Sequence, residues 1–321
     1  MVHPRNEILD WARQGRIAAR DVRKALEVGG ALPSAAHWRQ FLDRLLLFLG
    51  AVLLGAGVVF FLAYNWQDLG RFAKFGLVEL PLAATLGALW HFGLDRPAGK
   101  ATLLLAALLA GALLALVGQT YQTGADTFEL FAAWAVAILP WALLGRFAAL
   151  WVLWLALVNL AVALYFQAFH GVLGMAFGPE RQMWVLFALD STALLAWEVA
   201  ARAAEWLRER WAARLIATVA AALATALAVL AILDSRAAGW INSMVWLAWA
   251  AVTYTVYRRL IKDVYMLALG ALSVIVVSAT FVGKQMRFGD AGSFLFMGLF
   301  VIGISAAAGY WLRRIAAEEH A

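Results

Sequence analysis

From about residue 40 onward the chain alternates long apolar runs with short stretches that carry Arg, Lys, Asp, Glu, Gly or Pro. The runs are long enough to cross a bilayer, which takes roughly 20 apolar residues per helix. They show no period-two alternation. A helix satisfies its backbone hydrogen bonds within itself, so helical spans are favoured over a barrel. The pattern predicts ten spans, at 45–66, 72–94, 101–117, 128–144, 147–166, 183–199, 215–233, 240–256, 264–282 and 294–312. Only Gly145 and Arg146 separate the fourth and fifth, which predicts either a tight hairpin or one broken, re-entrant segment. The expected fold class is all-α, a polytopic transmembrane helix bundle.

Residues 1–40 read as a separate cytoplasmic helical pair, 41–314 as the bundle and 315–321 as a cytoplasmic tail. Two short helices are expected at 3–14 and 18–28, joined at Gly15 and ended by Gly29 and Gly30. Ile8, Leu9, Trp11, Val22 and Leu26 would pack together or lie on the bilayer, with Arg13, Arg16, Arg20, Arg23 and Lys24 toward solvent or anionic lipid. A DNA-binding helix-turn-helix is disfavoured in so small a segment. The charged start lacks the short apolar region and small-residue cleavage site of a removable signal peptide.

Composition agrees with a bilayer as solvent: 64% hydrophobic, 14% charged, mean hydropathy +0.79. The absence of cysteine excludes disulfides, thiolate catalysis and cysteine-ligated metals. The net charge of +6 is an orientation signal. With the N-terminus in the cytoplasm, 20 of the 26 Lys and Arg residues fall on that side, among them Arg96, Lys100, Arg146, Arg208 and Arg259. The other six are Arg71, Lys74, Arg181, Arg236, Lys284 and Arg287. Both termini are therefore expected in the cytoplasm, and no nucleic-acid partner is expected.

Small residues at helix-packing spacing (Ala51 and Gly55, Ala107 and Gly111, Gly303 and Ala307, and the alanines of the seventh span) predict close helix contacts. Pro81 and Pro140 are expected to kink or interrupt their spans. Trp66, Trp90, Trp141, Trp184, Trp240 and Trp311 fall near span ends and read as interfacial anchors. No phosphate-binding glycine loop, nucleophile elbow or helical histidine pair is present, so no catalytic set, metal or cofactor is expected.

Polar residues gather at the outer ends of the spans: Asn65 and Trp66, the 119–126 stretch, Glu129, Gln167, His170, Lys284 and Gln285. Contact with water explains most of these one by one. The stretch containing Gln119, Tyr121, Gln122 and Asp126 combines amide, phenol and carboxylate groups and reads as a binding loop. Asn65, Trp66, Gln119, Tyr121, Gln122 and Asp126 are the expected ligand site, with helix capping as the structural alternative for Asp126. Glu79 and Asp190 lie deeper. As intramembrane acids they should face the bundle interior, with Ser191 and Thr192 near Asp190 and Lys74 near Glu79. Glu198 reads as interfacial.

The run from Gly50 through Gly55-Ala56-Gly57 to Tyr64-Asn65-Trp66, followed by Gly118 to Gln122 and Asp126, resembles a family of predicted bacterial inner-membrane proteins, domain of unknown function 2157. With the short helices before the first span, the resemblance covers roughly residues 1–150. It implies a multi-span membrane protein and no particular activity.

Three functional readings follow. The leading one is transport or lipid handling through a periplasm-facing polar site. The alternative is a non-transporting scaffold that recruits a periplasmic or membrane partner. The third is a membrane-embedded hydrolase or transferase. Membrane lipids are expected partners in each.

Overall fold

The computed structural model describes residues 4–169, 178–233, 239–286 and 291–320, and these contain helices and no strand. Two short helices come first, α1 (Pro4–Arg13) and α2 (Val22–Val28). Ile8 of α1 and Leu26 of α2 are buried. Gly29 lies so close to Ile8 that a Cβ there would stand 2.5 Å from Ile8 Cδ1. Ser34 then accepts a hydrogen bond from the His37 N–H at 3.3 Å and caps α3 (Ala35–Tyr64), satisfying one of the free donors of its first turn. α3 is continuous through residue 40, so the amphipathic segment and the first apolar run share one 30-residue helix.

The remaining helices are α4 (Arg71–Phe92), α5 (Pro97–Tyr121), α6 (Thr127–Gly145), α7 (Ala148–Phe169), α8 (Pro179–Ala203), α9 (Arg210–Leu233), α10 (Gly239–Thr255), α11 (Val264–Gln285) and α12 (Ala291–His320). Among the described residues, nine helices are long and apolar enough to cross a membrane: α3 to α9, α11 and α12. α10, of 17 residues, is at the lower limit of length. It nevertheless runs beside α8 from end to end. Asn242 at its start donates to Glu180 at the start of α8 (2.8 Å), and Tyr257, in the π-helical turn Val256–Leu260 that extends it, donates to Glu198 near the end of α8 (3.0 Å). At 1.5 Å per residue, Glu180 and Glu198 are about 27 Å apart along their helix.

Two small-residue helices organise the packing. α5 is flanked by α3, α4 and α6, and α9 by α8, α10 and α11. In α5, Ala106, Ala107, Gly111 and Ala112 form a buried stripe. The Trp134 ring of α6 lies on Gly111, where a Cβ would stand 2.2 Å from the indole, and Trp134 Nε1 donates to the Ala107 carbonyl at 2.8 Å. The expected Ala107/Gly111 contact is thus a seat for one tryptophan. Ala51 and Gly55 of α3 are also buried, with Leu108 against Gly55. In α9, Ala220, Ala221, Ala224 and Ala228 are buried. There Thr225 and Ser273 hydroxyls meet at 2.6 Å and Trp246 Nε1 donates to Ser273 at 2.8 Å, joining α9, α11 and α10.

One expectation changes, and one pair of alternatives narrows to a single form. Gly303 and Ala307 are exposed: α12 packs on α11, meets α10 where Trp311 stacks on Tyr254 and pairs Glu318 with Arg258, and its apolar stretch is left unburied. The fourth and fifth runs are a hairpin of two full helices and not a re-entrant segment: Arg146 adopts a left-handed conformation (φ 43°, ψ 49°) that reverses the chain between α6 and α7. Gly145 packs against Leu103, 2.7 Å from where a Cβ would lie. α4 and α6 continue through Pro81 and Pro140.

Candidate functional site

The expected outer cluster divides into two kinds of residue. Trp66 and Tyr121 meet the start of α4. Lys74 Nζ stands 3.8 Å from the centroid of the Trp66 ring, and the Arg71 guanidinium lies 4.5 Å above Tyr121 and hydrogen-bonds its hydroxyl. Arg71 and Lys74, three residues apart, share a face of α4, so the two aromatics flank one cationic patch. Asn65 and Asp126 serve helix ends instead. Asn65 Nδ2 donates to the Phe61 carbonyl at 2.9 Å and closes α3, while Asp126 is the N-cap of α6, its N–H donating to Glu129 Oε2 at 3.2 Å. Gln122 closes α5 in a left-handed conformation (φ 47°), and the Gln119 and Gln122 side chains are exposed without a hydrogen-bond partner among the described residues. His170, Arg236 and Arg287 lie outside the described residues.

The two intramembrane acids part company. Glu79 does not enter the bundle. Val78 and Thr85, seven apart, form the buried stripe of α4, and Glu79 is turned about 100° from Val78. It is exposed at the perimeter, and Lys74 is engaged with Trp66. Asp190 is the opposite case. It is 1% exposed, in the middle of α8. Asn159, in the middle of α7, donates from Nδ2 to Asp190 Oδ1 at 3.1 Å and to the Leu155 carbonyl at 3.0 Å. Asp190 Oδ2 and the neighbouring Ser191 hydroxyl are buried with no partner among the described residues. Thr192 faces outward.

Asp190 and Asn159 line a groove of about 390 Å³ between α7, α8 and α9. The rest of its lining is apolar, including Leu155, Leu186, Leu215, Ile216 and Val219. A polar pair with one unused carboxylate oxygen thus sits in an apolar setting, where an unsatisfied buried group costs about 1–3 kcal/mol. A groove of this kind can accept a solute that supplies hydrogen-bond donors or a positive charge to Asp190. Asp190 was the legible half of the pair; Asn159 was not singled out, although it is the one amide in the apolar run 147–166.

A second polar centre was not anticipated. Near the α8–α9 connection, Arg210 spans two carboxylates, with NH1 on both oxygens of Glu198 (3.0 and 2.9 Å) and Nε on Asp263 Oδ2 (2.9 Å). Arg214 donates to both Asp263 oxygens (3.3 and 3.2 Å), and the Tyr257 hydroxyl donates to Glu198. Asp263 also accepts from the Tyr265 N–H at 3.1 Å as the N-cap of α11. Burial raises the Asp263 carboxyl, but the Arg214 and Arg210 guanidiniums outweigh it and hold the group below its ordinary value. Glu198 is therefore a largely buried ion-pair partner near the end of α8. Every one of its partners lies on another element, so the pairing is invisible to sequence spacing. The network clamps α8, α9, α10 and α11 at one end.

No curated protein and no solved structure matches the chain. One family does, over less than half of its length and ending at the start of α7. Residues 9–151, which hold the helical pair, α3 to α6 and the Asn65-to-Asp126 motifs, match the family described as predicted membrane protein (DUF2157).

Proposed function

We propose that this multi-pass membrane protein is a transport protein of the bacterial inner membrane, with ten spans, both termini in the cytoplasm and its solute site at Asp190. The observation that carries the reading is the Asp190 carboxylate, fully buried at the middle of α8, held on one oxygen by Asn159 and unpartnered on the other at the floor of a groove. Insertion scales charge roughly 3 kcal/mol for an Asp at a helix centre, and such residues mark solute and ion paths. The donor set is all oxygen, which suits a proton, a small monovalent cation or an ammonium group. The aromatic and basic patch of Trp66, Tyr121, Arg71 and Lys74, with Gln119 and Gln122 exposed nearby in sequence, supplies a polar surface at the face where the first span ends. The span count rests on the parallel course of α8 and α10, and the orientation on the positive-inside bias.

Purified protein in liposomes tests the reading with proton-, sodium- and potassium-sensitive dyes under imposed gradients. Wild type should dissipate at least one gradient faster than empty liposomes, and Asp190→Asn should remove the difference. Equal leakage from wild-type and empty liposomes for all three ions would contradict it. A scaffold is the second reading, favoured by the unburied apolar face of α12.

A further inference from the structure

A second cleft is larger than the groove at Asp190. It has a volume of about 860 Å³ and opens at the face where α3 begins, between α3, the α4–α5 turn, the α6–α7 hairpin and the α8–α9 connection. Its lower walls are apolar, with Leu45, Phe48, Leu49 and Val52 descending along α3 and Leu104 opposite. From Arg44 to Val52 the wall extends about 12 Å along the helix, a depth suited to the upper part of an acyl chain.

The rim is charged. Arg44, Lys100 and Arg146 come from three different elements, and none has an ion-pair partner among the described residues. Lys100 Nζ lies 6.0 Å from the Phe147 ring, which stacks on Phe48 at 5.3 Å. Two carboxylates, Asp95 and Glu209, also reach the rim, and Glu209 is engaged by Trp211 Nε1 at 3.1 Å. Cations therefore exceed acids. The first turns of α5 and α7, at Pro97 and Ala148, open on the same cleft and add their free N–H groups and positive dipole ends.

Arg146 adds a separate argument. Its left-handed conformation costs a non-glycine residue about 1–2 kcal/mol and is the position where a glycine is ordinarily found. The orientation signal accounts for a basic residue in this turn but not for placing it at the strained position. The cleft does, because the turn holds the guanidinium at its rim.

We infer that this cleft binds one anionic phospholipid, its phosphodiester among Arg44, Lys100 and Arg146 and its acyl chains along α3, filling the space between the first helices of the bundle and the α8–α9 connection. The proposal stands apart from the transport reading, since no residue of the Asp190 groove takes part apart from the common helices.

The test uses the full-length protein in detergent, titrated with phosphatidylglycerol, phosphatidylethanolamine or inorganic phosphate, and read by thermal unfolding and by lipid retained in native mass spectrometry. Phosphatidylglycerol should raise the unfolding temperature and remain bound, while the other two should not. Arg146→Gly should leave the lipid-free unfolding temperature unchanged or higher, because glycine suits the turn, yet weaken phosphatidylglycerol binding about fivefold. Arg44→Gln and Lys100→Gln should weaken it by a similar factor. Equal binding of phosphatidylethanolamine, a response to inorganic phosphate alone, or unchanged affinity in the three variants would overturn the inference.

Discussion

Asn159 on α7 donates to Asp190 on α8 at 3.1 Å, and the two residues stand midway along their helices. Each is the answer to the other's burial. The carboxamide also returns a hydrogen bond to its own helix at Leu155, and Asp190 Oδ2 is left buried without a partner among the described residues. A pair arranged only for stability would have no unused acceptor.

Asn159→Ala should therefore destabilise the protein by about 1–3 kcal/mol, because it orphans the Asp190 carboxylate. On an Asp190→Ala background the same change should cost much less. Unfolding in mixed detergent measures the cycle, and additive costs would show that the two side chains do not interact.

Gly111→Ala should be costly for a different reason. Its Cβ would meet the Trp134 ring at 2.2 Å, and overpacking of this kind costs about 1–3 kcal/mol. Replacing Trp134 by Ala should make the alanine at 111 nearly neutral relative to the Trp134→Ala parent. Thermal unfolding of the three variants reads this directly, and a full penalty in the double variant would argue against the contact.

The acid limb of stability should report Asp263. Its carboxyl is lowered in the folded chain, so its contribution is complete above the unfolded value of about 3.8 and is lost as pH falls through the folded value. Wild type should show no loss from this group until pH drops below about 4. In Arg210→Gln/Arg214→Gln the cations that outweigh burial are gone and burial raises the carboxyl, so this variant should be destabilised at neutral pH and should regain stability as pH falls through the raised value. Arg210→Ala alone should cost about 3–5 kcal/mol at neutral pH, since it leaves Glu198 and Asp263 buried beside one remaining guanidinium. Unfolding temperatures across a pH series distinguish these profiles.

Hydropathy was sufficient to read the helices, because a span's length and apolarity are local properties. It also located α10, a 17-residue helix that a π-helical turn extends at Val256. The hairpin at Gly145 and Arg146 was ambiguous because sequence does not show backbone handedness. Which way a polar residue faces depends on the neighbouring helices, and there the reading separated. Asp190 faced Asn159 as an intramembrane acid should, while Glu79 lies one position beyond the buried stripe that Val78 and Thr85 define. The Glu198, Arg210, Asp263 and Tyr257 network joins residues up to 65 positions apart and was hidden behind the role of arginine as an orientation signal. Asn65 and Asp126 were visible as polar motif residues, but their hydrogen bonds go to helix ends.

Water access to Asp190 tests the central claim most directly. The chain has no cysteine, so Leu186→Cys places a single thiol in the wall of the groove, one helical turn from Asp190. A charged, membrane-impermeant thiosulfonate applied to both sides of native membranes should modify it, and a saturating concentration of the transported ion should slow the reaction. Absence of modification until the protein is unfolded, with a control thiol at an exposed helix end reacting normally, would show that water does not reach Asp190 and would contradict a solute site there.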